Sequence, residues 1–529
     1  MRRNVIFLSL IGIILIGFIP VMAQVTLTWT GNSTRPTTWD KPGNWSGNWV
    51  PNLENNVLIP SGLTNYPTLT FSEQNCRNIT IQSGAQLNVA VGGTAVLNVA
   101  GNWQNQGTFI PSSGTIRLVS TSYCSLSTET FNRLELNKYT ITPFGVVTGT
   151  ATMLGDMSIR DQITFQYAIL ETGGYNLTGI GTTNRLLLNT GQLKWDRATF
   201  TTTFETVSFD SGTVHFNRLG NQLIPSMYNY YRLYTAGIGI KTPDGDLQVT
   251  GDLNIGVGTM LQMGGNDVRL GGNCTINGVY SMGDESVLSM NGGTLRVNAL
   301  GLFSAVGTGL MRTGPIITRP GLSTLYYTFT VEGDSAIISA SYATFEYMNS
   351  AGVSVASTAL IDPFHPLNNC RFQYGQTDVA PAGLLTVNNS QEIEIPNADF
   401  PVVGINNVQK QYDSGRLTFV DATGAFAGSA YEYDPYNRID WAPSLPPMAP
   451  VVTITRDDNS AELIWNTVWQ NTGGFPIVVN SYKVYSDTQP HGLFNYLEAT
   501  VVAPDTDWTD TGIIDLQAVK FYRVTAVRN

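Results

Sequence analysis

The sequence predicts an all-β chain in which a long parallel β-helix, a solenoid of stacked coils, is followed by a small β-sandwich. Three observations predict it. Charged residues make up only 13% of the 529, against 53 glycines, and the outward faces of helices need far more Lys, Glu and Arg than that. Short runs such as Ile79-Thr80-Ile81, Leu97-Asn98-Val99 and Val268-Arg269-Leu270 recur every six to ten residues between Gly-Thr, Gly-Gly or Asn-Gly pairs. Such alternation marks strands with one buried face. Finally, four blocks recur in order along the chain: Ile116-Arg117-Leu118 as Val214-His215-Phe216, Phe131 to Leu134 as Tyr230 to Leu233, Gly155 to Ile159 as Gly251 to Ile255, and Leu170 to Gly174 as Leu261 to Gly265. Their offsets are 98, 99, 96 and 91 residues.

Residues 1–23 have the layout of an export signal. Arg2 and Arg3 precede an apolar stretch from Val5 to Phe18, and Val21-Met22-Ala23 suits a signal peptidase cutting before Gln24. The competing reading is a retained anchor, because Val5 to Met22 is just long enough to span a bilayer. No later segment could cross as a helix, so no membrane span is expected after cleavage, and the expected location is secreted, extracellular or at the outer cell surface. Without Arg2 and Arg3 the chain has 26 basic residues against 39 acidic ones, a net charge of −13. That charge excludes nucleic acid as a partner and repels anionic membranes.

Residues 24–75 are expected to cap the solenoid. Trp29, Trp39, Trp45 and Trp49 fall within 21 residues, and indoles close the open end of a coil with few residues. Flat indole faces beside Asn and Asp also suit sugars, so Trp39, Trp45 and Trp49 are candidate glycan contacts.

Residues 76–442 form the expected solenoid body, with the duplication covering about 113–180 and 211–270. Strands this short bury an apolar face only by stacking on their copies in the next coil. A β-propeller is the main competitor, but its blades need four longer strands each. Cys76, Cys274 and Cys370 each follow Asn and precede a strand-like Ile or Phe. Residues in one recurring context fill equivalent inward sites, so free, buried cysteines are expected, with Cys76–Cys124 as the bridge to test. The lysines, among them Lys138, Lys241 and Lys410, are spread thinly.

The opening Trp29-Thr30-Gly31, Thr38-Trp39-Asp40, Asn44-Trp45-Ser46-Gly47 and Val50-Pro51-Asn52, ending in Val57-Leu58-Ile59-Pro60, resembles that of large exported bacterial adhesin-like repeat proteins with right-handed β-helical bodies. The resemblance covers roughly residues 25–440, is specific in the opening and textural in the rungs, and implies surface display or secretion. Residues 443–450 are a stiff Pro-rich linker. Beyond them, residues 451–529 resemble a fibronectin type III, Ig-like domain: Leu463-Ile464-Trp465 fits its second strand, Tyr482 to Tyr485 its third and Tyr522 to Ala526 its sixth.

Parallel β-helices also serve polysaccharide lyases and pectin hydrolases, which need clustered carboxylates. Here Asp156, Glu171, Asp196 and Asp210 stand singly, while Asp244, Asp246 and Asp284-Glu285 fit turns. Of three histidines, His215 is expected to point outward from a strand, His365 to sit in a rigid turn and His491 in a loop. None has metal-ligand spacing and no Ser/His/Asp set is suggested. Tyr228, Tyr230, Tyr231 and Tyr234 form an aromatic patch, and the first three join the candidate glycan contacts. No catalytic residue, cofactor or metal is expected. The expected function is that of a non-enzymatic adhesin-like or structural protein, with extracellular polysaccharide or surface proteins as partners; the alternative is a polysaccharide-binding or lyase-like polysaccharide-degrading β-helix.

Overall fold

The computed structural model describes residues 24–529 apart from 71, 202, 310–312, 381, 403–405, 443–445, 473–476, 514–518 and 529. The expected export signal and the first residues of the Pro-rich linker lie outside the described residues. The fold is a parallel β-solenoid of about 16 turns. Within the body of the solenoid, strands pair in parallel with those one turn before and one turn after, so the alternation of the sequence becomes a set of ladders. Leu233, Leu253, Cys274, Leu295, Phe329 and Val353 are successive partners on one inward ladder, and all are buried. One position later, Tyr234, Asn254, Thr275, Arg296, Thr330 and Ser354 form the outward ladder. The pleat sends neighbours to opposite faces, so one register choice fixes both ladders.

The first rung begins earlier than the cap reading implies. Thr26–Thr28 already pairs with Asn56–Ile59, and that strand with Ile79–Ile81. Above them Trp29, Trp39 and Trp45 are buried, with Trp45 edge-on to Trp29 at 4.9 Å and to Trp39 at 4.7 Å. All four cysteines are buried and free.

The duplicated blocks keep their inward–outward pattern but not their place. Ile116 lies on the ladder Leu97, Ile116, Leu134, Ile163, whereas Val214 lies on Leu170, Leu193, Val214, Leu233. From Asn254 to Thr275 to Arg296 the chain advances 21 residues per turn. From Ile116 the ladder runs through Leu134, Ile163 and Leu186 to Val207, four turns on, and Val214 lies seven residues beyond that, so the second copy begins one face further round.

Corners between sheets are tight. Two residues suffice between Cys76 and Ile79 and between Phe165 and Ala168. Between the strands Glu129–Asn137 and Thr150–Met153 the same corner instead carries twelve, 138–149, folded as an antiparallel hairpin of Tyr139–Thr142 and Gly145–Thr148. Gly149 closes its base; a Cβ there would meet the Thr121 carbonyl oxygen at 2.7 Å. Buried lysines hold corner carbonyls that no strand satisfies. Lys138 Nζ donates to the Ser122 oxygen, Lys410 Nζ to that of Asn389, and Lys241 Nζ to those of Arg218, Gly220 and Ile238.

The solenoid ends in the parallel strands Glu392–Pro396, Arg416–Val420 and Ile439–Ala442. Beyond residue 451 lie two three-stranded antiparallel sheets, one of Val452–Asp457, Ser460–Trp465 and Asp507–Asp510, the other of Ser481–Asp487, Tyr496–Val502 and Phe521–Val527. Leu463, Trp465, Tyr482, Val484 and Val524 form their shared core, separate from that of the solenoid. No helix among the described residues is long and apolar enough to cross a membrane.

Candidate functional site

Two of the three tryptophan candidates cannot meet a sugar. Trp39 and Trp45 are enclosed in the core, whereas Trp49 is 49% exposed. Their neighbours explain the split: the Trp45 indole N–H donates to the Trp39 carbonyl at 2.8 Å inside the cap, a position no ligand reaches. The tyrosine patch divides in the same way. Tyr230 is buried, stacked on Phe209 at 5.5 Å, with its hydroxyl donating to the Pro225 carbonyl. Tyr228 is half-buried against Phe200 and Phe209. Tyr231 is partly exposed beneath the Arg232 guanidinium, which sits 4.8 Å above its ring. Trp49, Tyr228 and Tyr231 therefore keep some surface and Trp39, Trp45 and Tyr230 lose theirs to packing.

His215 does project from the outward face, between Lys194 and Tyr234 on the ladder, and its ring lies 4.8 Å from that of Tyr234, tilted by 50°. These neighbours bury it enough to push its pKa down to about 4, with burial the larger cause and the Lys194 charge the smaller.

The structure also joins residues that spacing did not connect. His365 belongs to the strand Leu360–Asn368 rather than to a free turn. Along it Ile361 pairs with Ile338 and Pro366 with Ala340, so residues 362–365 bulge outward. Asp362 and His365 thereby reach Ser339, one turn earlier. Ser339 Oγ donates to Asp362 Oδ2 at 2.7 Å, and His365 Nδ1 lies 3.2 Å from the same oxygen and 3.4 Å from Ser339 Oγ. Burial would raise the Asp362 carboxyl, but the hydrogen bonds from His365 and Ser339 outweigh it and hold its pKa down. A nucleophilic triad needs the serine and the carboxylate on opposite nitrogens of the imidazole; here both face Nδ1. The geometry fixes the bulge and leaves Ser339 without a relay. Pro363 and Pro366 bracketing His365 signal an irregular strand, and Ser339 precedes His365 by about one turn, which is the cue that could have joined them.

The bulge forms one wall of a cleft of about 220 Å³ between the last solenoid turns and the C-terminal sheets. Phe364, His365, Tyr342 and Asn397 line the solenoid side, and Ile477 and Arg528 the other. The Phe364 ring is 67% exposed. An aromatic face, an imidazole and a planar amide around a small concavity can stack on a sugar ring and hydrogen-bond its hydroxyls. Among the described residues, no group of three or more His, Cys, Asp or Glu side chains is placed to hold a metal ion.

Compared with protein-family models, with curated proteins and with solved structures, the chain matches none of them.

Proposed function

We propose that this chain is an exported, non-enzymatic, adhesin-like or structural protein of the bacterial cell exterior. The solenoid is its rod and binding surface, and the C-terminal sheets, read as a fibronectin type III-like module, are its tether. The observation that carries this reading is the outward ladder Tyr234, Asn254, Thr275, Arg296, Thr330 and Ser354. It is a flat, mostly uncharged strip of hydrogen-bonding side chains, one per turn, with no convergence of carboxylates. Such a strip meets an extended partner along its length rather than one reacting bond. Trp465 and Tyr482 in contact across the two C-terminal sheets, with ring centroids 5.5 Å apart, support the module assignment.

A second reading, glycan binding, is favoured by the cleft beside Phe364 and His365. Native electrophoresis of residues 24–529 through gels cast with different polysaccharides separates the two. Unchanged migration in every gel is the result expected of a rod that binds surface proteins. Retardation without clearing, abolished by Phe364→Ala, moves the assignment to glycan binding. A cleared zone around the band sinks the non-enzymatic reading.

A further inference from the structure

The hairpin on the corner 138–149 is an outgrowth that the fold does not need, since the turns before and after cross the same corner in four and two residues. Its composition is unusual for a protruding segment. From Tyr139 to Gly155 the chain has no Asp, Glu, Lys, Arg or His. Ile141 is 75% exposed, Val146 and Val147 are about half exposed, and the Phe144 ring at the tip is fully exposed. Two strands alone are marginal in water, and an apolar projection of this kind marks a contact surface.

We propose that this hairpin is a wedge that inserts into a lipid surface of neutral or zwitterionic headgroups and seats the solenoid on it. Shape and charge favour lipid over a protein partner. The wedge is convex, and among the described residues each of its strands pairs only with the other. Its polar side chains are threonines and one tyrosine, so it offers almost nothing to specify a protein pocket. Three consecutive corners place Tyr123, Tyr139 and Tyr167 around its base, with Tyr139 and Tyr167 5.1 Å apart; Ser122, beside Tyr123, is held by Lys138 at the hairpin's foot. Tyrosines in a collar behind an apolar tip match the depth order of a bilayer interface. The unpaired outer edges of the strands limit the depth, because backbone groups without partners do not enter the hydrocarbon core. Four residues per strand reach about 13 Å, enough for the interfacial ~5–10 Å. The net charge of −13 after removal of Arg2 and Arg3 disfavours anionic lipid, which is why the headgroups are neutral.

The test is flotation of residues 24–529, which hold every contact described above, with phosphatidylcholine vesicles. The wild-type chain is expected to float, and Ile141→Asp/Phe144→Asp to lower the bound fraction about tenfold. Both side chains face solvent, so an unchanged circular dichroism spectrum and melting temperature will show that the variant folds. Phe144→Cys, labelled with an environment-sensitive dye, is expected to brighten on vesicle addition. Absence of flotation, equal flotation of the double variant, or a dye blind to vesicles overturns the proposal. Self-association that the double variant abolishes, without vesicle binding, assigns the hairpin to a second copy and overturns it too.

Discussion

Arg528 donates through its guanidinium to the carboxylate of Glu394, a residue 134 positions earlier and fully buried on the outward side of a solenoid strand. Asn471 donates to the other carboxylate oxygen. Glu394 would be solvated if the solenoid stood alone, so the C-terminal sheets cover this face and neutralise what they cover. Burial still pushes the Glu394 pKa up, with Arg528 only partly offsetting it.

Arg528→Ala is expected to leave that carboxylate buried without a charge partner, held by Asn471 alone, at a cost of about 3–5 kcal/mol to the docked arrangement. Adding Glu394→Gln should recover part of it. Limited proteolysis at the linker is the measurement: cleavage should speed up in the single variant and slow again in the double one.

His215 sets an acid-side slope in stability. Its folded pKa is lowered from 6.5 to about 4, so between those values the unfolded chain binds a proton that the folded chain refuses. The stabilisation is complete above pH 6.5 and is lost as pH falls toward 4. His215→Asn, the residue type found two rungs later at Asn254, should remove about 2–3 kcal/mol of that pH dependence. Denaturant titrations at pH 7 and pH 4 on both chains will show whether the difference shrinks.

Trp45 and Trp49 stand four residues apart and should behave oppositely. Trp45→Ala empties the centre of the edge-to-face cluster and is expected to cost about 3–5 kcal/mol. Trp49→Ala, half exposed, should stay within about 0.5 kcal/mol. Thermal melts of the two variants decide it.

The four cysteine thiols should be silent in the folded protein. Burial raises their pKa values, that of Cys370 to about 12, and a thiol that stays protonated and enclosed does not attack disulfide reagents. Native protein is expected to react with none of its thiols and denatured protein with all four in a colorimetric thiol assay.

The pleat made most of the ladders legible before any coordinates. Leu253-Asn254-Ile255 and Val268-Arg269-Leu270 alternate because one face is buried, and that needs no knowledge of the partner strand. What stayed hidden depends on contacts far apart in sequence. Nothing local distinguishes Trp45 from Trp49, because exposure is decided by the turn above and the turn below. The Ser339, Asp362 and His365 cluster needed the turn length, and the pairing of Glu394 with Arg528 needed the docking of a second unit. The duplication was legible as repetition but not as position, since sequence offset and turn length are different quantities.

That mismatch governs how such a rod can change length. Its natural quantum is one turn of 21 residues, as from Asn254 to Thr275, which adds about 4.8 Å. Removing one 98-residue copy, Ile116 to Val214, would instead rotate everything downstream by a third of a turn and set the rows of one face against those of the next. Recombination between the two copies is therefore penalised by geometry, although their similarity invites it. Growth or shrinkage by whole turns keeps every row aligned.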